Sequence, residues 1–209
     1  LHRVGLAPTV GLGNVAMLLC RARAALRIER PDGELPLLRM IGAHYHVYGV
    51  MQATPPSDPA DRPRLWLGDG VGERRDDLAY AIPGMPPGIR YNAITAAAAL
   101  PVLLALLPGA APLRWSTAAP FGLPGGYPVR IADGRVALDL PDGIDLDEAV
   151  AFCARIARGD GVERIDDDGT VHFTDAAREA VAAVAPELGE PLALADVDAR
   201  AARLLELLG

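Results

Sequence analysis

Three short stretches hold the residue types that could do chemistry. The first is His44-x-His46-x-Tyr48. On an extended strand, residues two apart share a face, which would place His44, His46 and Tyr48 together and leave Tyr45 and Val47 opposite. Two imidazoles so placed suit proton transfer or substrate contact, and they are also compatible with a pair of metal ligands. The second stretch is the loop Phe121–Val129, where Gly125 and Gly126 allow close backbone approach to a ligand. Its N–H groups could face an anion, with Tyr127 and Arg130 beside them. The third is Arg90-Tyr91-Asn92, at the head of an apolar run. A guanidinium and an amide at a helix N-terminus suit a carboxylate or a phosphate. Each stretch also has a structural reading: hydrogen-bonded core imidazoles, a bend at a strand entrance, and a helix cap with a salt bridge to Asp76 or Asp77.

Other chemistries are excluded or weakened. All 20 basic residues are arginine, so no lysine can form a Schiff base or serve a phosphate-binding loop. Ser57 and Ser116 are the only serines, and neither lies in a nucleophile motif. Gly11-x-Gly13-x-x-Ala16, with Glu29 downstream, matches the dinucleotide fingerprint in spacing. Pro8 interrupts the strand that should precede it, and no second βαβ unit follows. It therefore reads as a glycine-rich turn capped by Asn14. No third ligand cluster completes a metal site around the histidines; Asp166-Asp167-Asp168 reads as a solvated turn. A small metal-dependent enzyme is the weakest of the readings.

The elements that must position these residues follow from periodicity. A short strand is expected over 3–7 and a helix over 15–27. Leu35–Met51 reads as extended, Thr54–Pro63 as a loop, Arg64–Leu67 as a returning strand, Glu73–Tyr80 as a short polar helix, and 83–88 as a rigid linker. The stretch from Asn92 to 107 carries no charge and favours helix, with Asn92 as cap and Pro108-Gly109 as stop. It is shorter than the roughly 20 residues a bilayer requires, so it reads as a core helix enclosed on every side. Beyond it come an extended piece over 113–117 and a hairpin of 127–131 with 136–140 around Asp133-Gly134. A helix over 146–158 is capped by Asp145. A second hairpin turns at Asp168-Gly169, and two final helices cover 175–184, capped by Thr174, and 196–208.

The resulting fold class is α+β: a mixed, largely antiparallel sheet with hairpins, packed around the buried apolar helix 92–107 and amphipathic helices. A chain of 209 residues fits one domain, or one with a small appendage; a single domain over 1–209 is expected. With net charge −7 and no basic stripe, nucleic acid is not an expected partner, and no membrane span is read. Cys20 and Cys153 lack CxxC spacing, which fits a reducing cytoplasm. The chain opens at Leu1 inside an expected strand, which suggests the C-terminal part of a longer protein.

Three stretches together, 5–15, Ala43–His46 and Gly122–Val129, resemble the substrate-side portion of saccharopine dehydrogenase-like NAD(P)-dependent oxidoreductases. The resemblance implies that a preceding Rossmann domain binds NAD or NADP. This portion would close over the nicotinamide and mediate homodimer formation. His44 or His46 would be the proton donor or orient the substrate, and Arg90 and Asn92 would hold a substrate carboxylate. The missing nucleotide-binding half and the absence of lysine depart from that pattern. The expected function is the substrate-binding and dimerisation domain of a cytoplasmic oxidoreductase acting on an amino or imino acid. Tyr48, Gly125, Gly126, Tyr127 and Arg130 are further substrate contacts. The rival is a non-catalytic small-ligand-binding or interaction domain.

Overall fold

The computed structural model describes residues 10–51, 54–84 and 89–208. The expected strand over 3–7 lies outside them. The chain divides into two compact units, Leu1–Ile156 and Ala157–Gly209.

The larger unit is α+β, with every strand pairing among its described residues antiparallel. It opens with helix α1 (Asn14–Glu29), then strand β1 (Leu38–Ile41), the short helix α2 (His46–Met51), β2 (Arg64–Leu67) and β3 (Glu73–Arg74). Helix α3 (Ile89–Ala105) follows, then β4 (Leu113–Ala118), β5 (Gly126–Ala132), β6 (Arg135–Leu138) and α4 (Leu146–Ala157). Two three-stranded sheets result, β1-β2-β3 and β4-β5-β6. They meet where Gly42 and Gly126 exchange two backbone hydrogen bonds of 3.1 and 2.7 Å. The β5–β6 turn is the expected one: Asp133 and Gly134 both have positive φ, 53° and 69°, as a two-residue hairpin turn requires.

The strands are apolar on both faces because helices cover both. Alternation along β2 sends Leu65 and Leu67 into one cluster with α1 and sends Trp66 into a second cluster with α4. The central helix is α1: Val15, Ala16, Met17, Leu18, Leu19, Ala22, Ala25 and Leu26 are all buried, and it packs on α2, α3, β1 and β4. Gly13 rather than Asn14 occupies its N-cap position.

The apolar run forms α3 as expected, but it is enclosed over only half its circumference. Ala98, Ala99, Val102 and Ala105 are buried, whereas Leu100, Leu103, Leu104 and Leu107 are exposed. The helix begins at Ile89, so Asn92 lies inside its first turn and is not the cap. It also continues through Pro101, whose missing N–H leaves the Ala97 carbonyl without its intrahelical donor. Among the described residues no helix is long and apolar enough to cross a membrane.

Two buried arginines tie the larger unit together. Arg39 is 2% exposed, and its guanidinium donates to the carbonyls of Gly68 (2.9 Å), Gly70 (2.7 Å) and Leu140 (3.3 Å), holding the β2–β3 turn to the segment before α4. Arg21, on α1, donates to the carbonyls of Ile82 (3.0 Å) and Pro83 (2.9 Å), and burial pulls its pKa down.

The smaller unit contains the hairpin β7 (Val162–Ile165) and β8 (Val171–Phe173), then helices α5 (Asp175–Ala182) and α6 (Val197–Leu208). The Thr174 hydroxyl caps α5 by accepting from the Ala177 N–H at 3.2 Å, and in the larger unit Asp145 caps α4 through Glu148 N–H at 3.0 Å, both as expected.

Replacing Arg39 by Met removes the donor from three part-buried carbonyls and is expected to lower stability by about 2 kcal/mol. Urea unfolding of the purified chain, compared with the surface change Arg135→Met, measures this.

Candidate functional site

The histidine stretch is not a strand. β1 ends at Ile41, and the chain turns over Gly42–Tyr45 into α2. The turn is closed by His46 itself. Its backbone N–H donates to the Ala43 carbonyl at 3.2 Å, and its Nδ1 accepts from the Ala43 N–H at 2.9 Å. A side chain that bonds its own local backbone competes with the strand ladder, and here it wins.

His46 is 1% exposed. With Nδ1 accepting, its Nε2–H donates to the Asp61 carbonyl at 2.7 Å, which assigns the neutral Nε2-protonated tautomer. The ring stacks on Phe152 of α4 with centroids 6.1 Å apart, and Arg64 covers another face of that phenyl at 4.4 Å. Asp61 is shared further, its carboxylate pairing with Arg155. His46 is thus a strut joining α2, the 59–61 turn and α4.

His44, Tyr45 and Tyr48 are exposed. His44 and Tyr48 lie one helical turn apart and meet edge-to-face at 6.3 Å; Tyr45 and Tyr48 are 6.2 Å apart. The two histidines expected to share a face therefore part company. His46 is turned into the core, and His44 stands with two tyrosines at the surface. No group of three His, Cys, Asp or Glu among the described residues stands close enough to hold a metal ion.

The glycine loop is brought next to this stretch by the Gly42–Gly126 bridge. Its glycines are required by packing. Gly125 has φ of +80°, and a Cβ there would sit 2.6 Å from Cys153 Sγ; one on Gly126 would sit 2.5 Å from Val15 Cγ1. The backbone N–H of Gly126 is taken by Gly42, so it is not presented to an anion. Tyr127 is fully buried, and its hydroxyl donates to the Pro124 carbonyl at 2.7 Å; burial raises the pKa of both this phenol and the neighbouring Cys153 thiol. Arg130 is exposed on β5, opposite Arg114, whose charge is met by Asp139 at 2.7 Å and by Asp69.

Arg90 and Asn92 lie in the first turn of α3, an element packed on α1, β4 and β5, whereas α2 packs on α1 and the 76–80 turn. Asn92 is exposed, and the side chain of Arg90 lies outside the described residues. The Gly11–Gly13 stretch does not fit a dinucleotide phosphate: Gly11 N–H donates to Ala118 O at 2.6 Å, and a Cβ on Gly11 would lie 2.8 Å from that oxygen.

In the smaller unit a cleft of about 270 Å³ is lined by Arg158, Arg164, His172, Phe173 and Arg178. No sequence motif marks His172. Its Nε2 lies 2.6 Å from Asp166, and that hydrogen bond, with one from Arg164, holds the Asp166 carboxyl below its usual range. The three arginines pair with Glu163, Asp166 and Asp175 respectively, so the cleft has no excess of unpaired cations. Hydrophobic alternation could not have revealed it, because the cleft depends on a hairpin meeting a loop.

Comparison of the chain with protein-family models, with curated proteins and with solved structures found no match.

The geometry separates the two histidines by experiment. His46→Ala removes partners from one buried and one part-buried backbone group and is expected to cost roughly 2–4 kcal/mol, whereas His44→Ala should stay within about 0.5 kcal/mol. Thermal melts of both variants check this. Gly126→Ala must displace Val15 and should lower Tm by several degrees in the same series, about 1–3 kcal/mol.

Proposed function

We propose that residues 10–156 form the substrate-side domain of an NAD(P)-dependent oxidoreductase acting on a small amino or imino acid, with a second copy of the chain as partner. The observation that supports this is the segment 43–48. His46, bonded at both ring nitrogens, locks the turn from behind and holds the imidazole of His44 at the surface edge-to-face with Tyr48, which also meets Tyr45. A titratable ring on a rigid mount is what a proton-transfer group needs, because geometry must be held while the proton moves. In this reading His44 exchanges the proton, Tyr48 and Tyr45 border the substrate, and Arg90 and Asn92 receive its carboxylate. His46 and Tyr127 act as positioning residues. The described residues hold no fitting dinucleotide turn, so NAD or NADP would be bound by another part of the protein.

A second reading, a non-catalytic interaction domain, is favoured by the glycine loop, whose tight packing gives it a structural purpose without any ligand.

A nicotinamide-linked assay of the natural full-length protein with amino acids and 2-oxo acids distinguishes them. Under the first reading His44→Ala lowers kcat by roughly 10²–10⁴-fold while its melting temperature is unchanged. Absence of nicotinamide-linked turnover, or full activity in His44→Ala, favours the interaction domain.

A further inference from the structure

Helix α3 is amphipathic in its burial but not in its chemistry. Projected at 3.6 residues per turn, Ile94, Ala98, Val102 and Ala105 fall on the packed side. The opposite side consists of Ala93, Ala96, Ala97, Leu100, Leu103 and Leu104, continued just past the helix end by Leu107, and all of these are exposed. The four leucines are between 46% and 59% exposed. A solvent-facing helix side is ordinarily polar; this one consists of alanine and leucine alone.

We propose that this face of α3 is the surface on which a second copy of the chain packs, the two α3 helices meeting across a twofold axis. This rests on the homodimer expected above and names its surface. Two features select a second copy as the occupant. The first is charge. The chain carries a net charge of −7, so most of its surface repels another copy, while residues 93–113 carry no charged side chain at all. A twofold contact sets the same patch against itself, and an uncharged patch brings no like charges together there. The second is area. Four leucines about half exposed and three exposed alanines form one contiguous apolar patch of the few hundred Å² that marks interaction sites, and two such patches approach the roughly 1,000 Å² a specific interface needs. Ala93, Ala96 and Ala97 leave room for the helices to approach closely at one end, with the leucines filling the other.

Sedimentation velocity on the 209-residue chain up to about 100 µM tests this. The unaltered chain should sediment as a dimer. Leu100→Glu combined with Leu104→Glu should weaken the dimer by at least ~100-fold with an unchanged circular dichroism spectrum. Val71→Glu, a control at a 69% exposed residue of the β2–β3 turn, should leave it intact. Should the double variant fold poorly, Ala97→Arg alone, on the same exposed face, must produce the same dissociation. A monomer at every concentration overturns both the face and the expected homodimer, whatever the oxidoreductase assay reads. A dimer that survives in the leucine or alanine variants keeps the homodimer but overturns this face.

Discussion

The larger unit depends on how closely two backbones approach at Gly42 and Gly126. Two hydrogen bonds there join two small sheets that share no continuous strand pairing. The approach is possible because these positions carry no Cβ: one at position 126 would enter Val15, and one at position 125 would enter Cys153. α1 and α4 thus press on the junction from opposite sides. Small sheets of this kind have little stability alone, and they persist because helices close both faces.

That junction explains the arrangement of the polar residues. Once Gly42 is bonded to Gly126, the chain must turn away from β1, and His46 closes the turn with its own ring. The same ring reaches Asp61 and stacks on Phe152, so one side chain serves α2, the 59–61 turn and α4 together. The exposed imidazole and tyrosines are a consequence of this anchoring: fixing the alternate residue inward forces His44 and Tyr48 outward.

Some local signals were readable where a side chain acts on its own backbone, although the caps expected at Asn14 and Asn92 and the turn closed by His46 were not. The caps at Asp145 and Thr174 and the turn at Asp133-Gly134 are each decided within a few residues, and each formed as read. The strand expected through His44–Tyr48 failed for the opposite reason. Its alternation is compatible with extension, but the Gly42–Gly126 contact spans more than 80 positions and overrides it. The Arg39 strap and the cleft at His172 were likewise out of reach, because their partners converge only after folding.

By itself the sequence determined the α+β class, the caps at Asp145 and Thr174, the Asp133-Gly134 turn, the helix at α3 and the absence of lysine chemistry. These rest on propensity, periodicity and residue type, which act locally. Tertiary structure alone decided that α1 rather than α3 lies at the centre, that His46 and His44 have opposite fates, and that half of an apolar helix faces outward. Hydrophobicity states that a surface is to be buried; only the positions of the neighbours decide which side of it the same chain covers.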